Sequence, residues 1–167
     1  MSWTGYQEND ELTSAIGEAS NDNILMFCST SDDNRSRDSI WQSETKVFKV
    51  AAADKYGYWR PQSDRDADLL LPGDSIMASG PQYMRPHSKS TISGSSVATA
   101  LAAGLASLVI SCAIAENKTS GREQFKRKKI MEKVFHAMRE RDGHKYLLPE
   151  KLLESMEHAK LQVKKWS

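Results

Sequence analysis

Nineteen consecutive residues, Val97 to Ala115, carry no charge, and they follow directly on Gly94-Ser95-Ser96. So long an apolar run outlasts an ordinary strand and fits a helix with apolar surroundings. Length alone would let it cross a membrane. Its many alanines, with Thr99, Gly104, Ser107 and Ser111, make it poor in large hydrophobes, which suits a helix packed tightly inside a protein better than one facing lipid. No membrane partner is expected. The Gly-Ser-Ser that opens it has two readings. Ser95 is a natural helix N-cap. Alternatively, a serine hydroxyl at a helix N-terminus is a nucleophile, with unpaired N–H groups and the positive dipole end beside it to stabilise an oxyanion. Gly94 would permit close approach of a substrate, and Ala98 and Ala100 keep the first turn slim.

The residues before this helix alternate between helical and buried-strand patterns. Leu12, Ala15, Ile16 and Ala19 recur at helical spacing within Glu11 to Ala19, and Ile24-Leu25-Met26-Phe27-Cys28 is a short unbroken apolar run. Ser29 to Asp38 has the composition of an exposed loop. Val47 to Ala53 reads as a second interior strand, Ala67 to Leu71 as a third that stops at Pro72-Gly73, and Ser75 to Ala78 as a short fourth. Strands apolar on both faces, alternating with helices, predict an α/β fold with a largely parallel sheet. Beyond Asn117 the pattern changes. Lys118 to Lys133 forms a basic amphipathic helix around Phe125 and Ile130, and a last helix opens at Pro149-Glu150 with Leu152, Leu153 and Met156 on one face. The expected organisation is one unit over 1–117 and a helical C-terminal extension over 118–167.

Charge and cysteine usage narrow the function. With 23 Lys plus Arg against 22 Asp plus Glu, the net charge of +1 gives no field to draw nucleic acid. The basic run Lys126 to Lys129 has few interleaved aromatics and reads as a solvated helix face rather than a nucleic-acid site. Cys28 and Cys112 lie 84 positions apart, each in an apolar run, as buried thiols rather than a disulfide pair. They and His87, His136, His144 and His158 show no metal-ligand spacing, so no metal and no cofactor are expected. Met1-Ser2-Trp3-Thr4-Gly5 lacks the basic and apolar regions of a secretory signal, which implies a cytoplasmic protein if the chain is complete.

Four blocks in order carry a resemblance to the subtilisin-like (S8) serine peptidases over most of residues 1–115. Gly94-Ser95-Ser96-Val97-Ala98-Thr99-Ala100 resembles the family's Gly-Thr-Ser-Met-Ala-Thr-Pro. Leu71-Pro72-Gly73 with Ile76 resembles its strand ending in Ala-Pro-Gly, Val47 to Gly57 its preceding strand, and Ile24 to Asn34 the strand ending in Ala-Ala-Gly-Asn. Met1-Ser2-Trp3 is similar to the segment that pairs with bound peptide as an edge strand.

The resemblance implies a subtilisin-like sheet flanked by helices, incomplete because its N-terminal strands are missing, followed by C-terminal helices. It implies a serine endopeptidase acting on polypeptides through an acyl-enzyme on Ser96. Ser2, Trp3 and Thr4 would form one wall of the substrate cleft, and Ser29, Thr30 and Ser31 another. Asp32 falls where the family usually has the asparagine that steadies the oxyanion; an ionised carboxylate donates no hydrogen bond. In a subtilisin, loss of that donor costs about 10²–10³ in turnover. Ser95 for threonine and Ala100 for proline are milder departures. The family's aspartate and histidine precede the segment that Met1-Ser2-Trp3 resembles, and His87 stands where the family has no base. The resemblance therefore places both residues outside this sequence, in a missing N-terminal half of the domain, and predicts an isolated chain that is inactive and prone to aggregate. The alternative is a catalytically dead module that retains the scaffold to bind a partner.

Overall fold

The computed structural model describes residues 10–32, 46–60, 66–78, 90–115, 123–139 and 143–151. Helix α1, Asp10–Asn21, begins with two acidic residues that suit a helix N-terminus. It ends where Asn23 takes a left-handed φ of 57° and the Ile24 N–H reaches back to the Ala19 carbonyl at 2.9 Å, a closing turn that asparagine tolerates.

Three parallel strands follow in spatial order: β1 (Phe27–Ser29), β2 (Phe48–Ala53) and β3 (Leu69–Pro72). Phe27 pairs with Phe48, and Val50 with Leu69. The strands are buried on both faces, as a parallel sheet between helices requires. On one face Phe27, Phe48, Val50, Ala52, Leu69 and Leu71 form the main core. On the other, Cys28 and Val47 meet Ile16 of α1, while Ala51, Ala53 and Leu70 meet Trp59 and Tyr146. The α/β layer architecture predicted from the apolar runs is the one formed. The first strand starts three residues later than its apolar run, because Ile24 to Met26 serve as the approach from α1.

β3 stops at Pro72, which has no N–H to continue the ladder. The chain then enters an antiparallel ribbon of β4 (Ile76–Ala78) and β5 (Ser90–Ile92), Ile76 opposite Ile92. The fourth strand is thus in a two-stranded sheet of its own, outside the parallel one. Its partner β5 is a polar Ser-Thr-Ile whose pairing depends on a residue distant in sequence, and periodicity gave no sign of it.

Helix α2, Ser95–Ala115, lies on the main-core face. Ala98, Ala102 and Ala106 are buried against a sheet that also offers Ala52, and small side chains on both sides let helix and strand approach closely. One face only is covered. Leu101, Leu108 and Ile114 are exposed, as is Cys112, so the helix packs inside the protein along one face and the expected burial of Cys112 is not found.

The basic helix is interrupted where its charge pattern suggests one run. Residues 123–125 make one helical turn, the chain breaks at Arg127 in extended conformation, and α3 runs Lys128–Ala137. Met131 and Phe135 enter the main core, where Phe135 meets the ring of Phe48 edge-on at 5.4 Å and that of Phe27 at 6.4 Å. Lys128 lies over the Phe48 ring at 4.9 Å, while Lys129 and Lys133 are exposed. After α3, the Leu147 N–H donates to the Leu70 carbonyl at 3.0 Å and the Leu70 N–H to the Lys145 carbonyl at 2.8 Å, adding a bridge beside β3. Residues 149–151 are helical as expected at Pro149; Leu152, Leu153 and Met156 lie outside the described residues.

Candidate active site

The ends of β1, β2 and β3 and the start of α2 converge on Gly94. After β3 the Gly73 N–H donates to the Ala53 carbonyl at 3.0 Å, and the Gly94 N–H donates to the Gly73 carbonyl at 2.8 Å. A Cβ on Gly73 would stand 2.6 Å from that of Ala52 and 2.9 Å from the Gly94 carbonyl oxygen, so only glycine lets the two backbones meet here. Gly94 has a φ of 145°, and its carbonyl accepts from the Val97 N–H at 3.0 Å and the Ala98 N–H at 3.4 Å. Gly94, not Ser95, is therefore the cap residue of α2.

Ser95 is buried with no exposed surface, and its hydroxyl is the hub of the elbow. It donates to Asp32 Oδ1 at 2.7 Å and accepts from the Ala52 N–H and from Thr30 Oγ1, each at 3.3 Å. The Ser95 N–H donates to Asp32 Oδ2 at 2.7 Å. Asp32, arriving from the loop after β1, thus supplies the capping carboxylate for a helix that starts 63 residues later, where a negative charge is favoured. One turn on, Thr99 Oγ1 donates to the Ser95 carbonyl at 2.7 Å. The N-cap reading of Ser95 is corrected here: its side chain ties helix, strand and loop together, and the capping comes from Asp32.

Ser96 is the next residue, and it is exposed. Among the described residues its Oγ has no hydrogen-bond partner and its N–H has no acceptor. Asp32 Oδ2 and Ser96 Oγ flank the bare Cα of Gly94, at 3.2 and 3.4 Å from the point where a Cβ would stand. An unengaged hydroxyl and an unengaged N–H at a helix N-terminus are what nucleophilic attack with oxyanion stabilisation needs. The Ser95 N–H, bound to Asp32, is withdrawn from that role.

Of the remaining expected site residues, Ser29 is 8% exposed, which leaves its hydroxyl little surface to offer. Thr30 is turned to Ser95, and Ser31 is half-buried at the strand end. Ser2, Trp3, Thr4 and His87 lie outside the described residues. His136 and His144 are exposed, on α3 and in the segment leading to Tyr146. The elbow is braced on its far side by Ser93 Oγ, which accepts from the Ser75 N–H at 2.8 Å and donates to Asp74 at 3.0 Å. Asp74 also pairs with Arg60 at 3.5 Å. This brace, and the part played by Gly73, were not foreseen; the only trace of them was the Pro72-Gly73 stop. A cavity of about 320 Å³ lies elsewhere, between Tyr58, Trp59, Leu70 and Tyr146, on the sheet face away from α2.

No family model matches the sequence, and no curated protein matches it. Solved structures do. The prenylagaramide maturation protease PagA is similar over 92% of this chain and 58% of its own, with a TM-score of 0.70 and 19% identity. The self-cleaved protease domain of PatA is similar over 95% of this chain and 61% of its own, with a TM-score of 0.73 and 16% identity. The PatG macrocyclase in complex with peptide aligns with 70% of this chain and 36% of its own, at a TM-score of 0.60 and 19% identity. The chain spans about three fifths of the length of the PagA and PatA chains. At such identities the likeness is one of fold, and the fold of this chain is the subtilisin-like fold of those protease domains.

Proposed function

We propose that this chain is the nucleophile-bearing part of a subtilisin-like serine endopeptidase, with Ser96 as nucleophile. The observation that carries the reading is the exposed Ser96 hydroxyl, unengaged among the described residues, on the first turn of α2 at the carboxyl ends of parallel strands. Ser96 Oγ attacks the peptide carbonyl while a base takes its proton. The tetrahedral oxyanion lies toward the Ser96 N–H. Its collapse expels the amine, which takes up a proton, and leaves an acyl-enzyme that water hydrolyses. The base and its orienting carboxylate are supplied by polypeptide outside this sequence, for which the partial coverage of the PagA and PatA chains leaves room. Peptide binds as an extended strand beside Ser31 and the segment of Ser2, Trp3 and Thr4.

A fluorophosphonate probe tests this. Ser96 is expected to stay unlabelled in the 167-residue chain and to react once the sequence upstream of Met1 in the transcript is supplied; no labelling in either form would sink the peptidase reading. Removal of the histidine in a subtilisin lowers turnover about 10⁶-fold, so the contrast is large.

Asp32 favours a second reading, a catalytically dead scaffold that binds a partner. Its carboxylate holds one N–H of the α2 terminus and places negative charge beside the oxyanion position. If that reading is right, Ser96→Ala leaves cellular function intact; in a peptidase it abolishes it.

A further inference from the structure

The turn that follows β2 holds aromatic rings in water. In Lys55-Tyr56-Gly57-Tyr58-Trp59 three of five positions are aromatic, and Tyr56 and Tyr58 are 71% and 69% exposed. Contact with a ligand would offset the cost of leaving such rings wet. The turn is firmly built. Asp54 Oδ1 accepts from the Tyr56 N–H at 2.8 Å and from the Tyr58 N–H at 2.9 Å, the Asp54 N–H donates to the Tyr58 carbonyl at 2.9 Å, and Trp59 bridges to Ala53. Gly57 has a φ of 81°, and a Cβ there would stand 3.0–3.2 Å from the Tyr146 ring, so only a bare glycine lets the turn lie against that ring. On the other side, the backbone of Lys145 and Leu147 is tied to Leu70 of β3. Between turn and segment lies the cavity of about 320 Å³, with Leu70 at its base and Tyr58, Trp59, Tyr146, His144 and Lys145 among its walls. That volume is at the small end for ligand sites and suits one ring-sized group. Because hydrogen bonds already fix both walls, little ordering remains for a ligand to impose.

The polar groups set the sign of the ligand's charge. Lys145 Nζ stands 5.8 Å from the centre of the Trp59 ring and makes no ion pair among the described residues. His144, beside it, is exposed. Asp54 is engaged by two N–H groups of its own turn. Burial, reinforced by Glu150 and Asp54, pushes the Tyr146 hydroxyl above its ordinary 10.0, which keeps it protonated and a donor. A cationic guest would be repelled by Lys145, whereas an anionic one is attracted to it. We infer that this cavity binds an aromatic carboxylate, its ring among Tyr58, Trp59 and Tyr146 over Leu70 and its carboxylate on Lys145, with His144 alongside. The C-terminal aromatic residue of a peptide and a free aryl acid offer the same chemistry. The cavity opens on the sheet face away from α2, so the inference stands apart from the peptidase reading of Ser96.

Fluorine NMR observed on the ligand tests this with the full 167-residue chain. The probes are 3-(4-fluorophenyl)propionate and the tripeptide glycyl-glycyl-4-fluorophenylalanine, each as the free acid and as the carboxamide. At least one acid is expected to saturate with a Kd on the order of 1 mM or tighter, and its amide to bind at least about tenfold more weakly. Lys145→Gln should produce the same loss, and Tyr58→Ala a loss of about threefold or more. Tyr56→Ala removes a ring of the same turn that does not line the cavity and should leave binding unchanged. Tighter binding of the tripeptide assigns a chain terminus as the ligand, and tighter binding of the propionate a small molecule; both support the inference. Acid and amide binding alike, no saturation by either acid, tetramethylammonium displacing the acid, or Tyr56→Ala weakening binding as much as Tyr58→Ala would each overturn it. If Lys145→Gln does not fold in a urea titration, the comparison of acid with amide on the unaltered chain still decides.

Discussion

Asp32 and Ser95 form a charge-assisted pair of hydrogen bonds at 2.7 Å, and removing the carboxylate strands the N–H and hydroxyl of a fully buried serine. Asp32→Ala is expected to destabilise the chain by about 1–2 kcal/mol, and Asp32→Asn by less, since the amide oxygen still accepts one bond; urea denaturation reads both. Gly73→Ala drives a methyl group into Ala52 and the Gly94 carbonyl. It should cost about 1–3 kcal/mol or more, and unlike Asp32→Ala it displaces the backbone that presents Ser96. Cys28 gives a pH signature. Burial, reinforced by Asp68, pushes its thiol up from the ordinary 9.0 to about 11. The unfolded chain then loses this proton first, so the thiol's contribution to stability falls as pH rises from about 9 to about 11. Melting curves across that window should decline less steeply for Cys28→Ala, and an equal decline would show that other groups dominate.

Among the elements, α3 depends most clearly on contacts distant in sequence. Phe135 is fully buried between rings from two strands, so Phe135→Ala is expected to cost about 3–5 kcal/mol, measurable by chemical denaturation. Exposed Lys133→Ala on the same helix should change stability by no more than about 0.5 kcal/mol. The sequence shows that residues after Lys118 can form an amphipathic helix. It does not show that Met131, Phe135 and Leu147 complete the same core as Phe27 and Val50. Length made α2 recognisable, and continuous apolar character did the same for β2 and β3. β5 was hidden because three polar-to-mixed residues acquire strand character only opposite Ile76 to Ala78.

For the whole molecule, the uncovered face of α2 sets solution behaviour. An apolar helix face in water associates with whatever apolar surface it meets, so the isolated chain is expected to self-associate at micromolar concentration. Leu101→Lys with Leu108→Lys should restore a monomer in sedimentation velocity with little loss of stability, since both side chains are already largely in water. Association that persists in the double variant would place the sticky surface elsewhere.

The sequence alone determined the α/β layering, the order of the parallel strands' apolar runs, the long helix and the serine at its head, because these follow from local periodicity and from motifs a few residues long. Only the tertiary structure decided that Gly94 caps α2, that Asp32 from a distant loop holds the elbow, that Gly73 must be bare to let two backbones touch, and that half of α2 is left uncovered. Each of these is a contact between segments far apart in sequence or an area of surface, and neither is defined until the chain has folded.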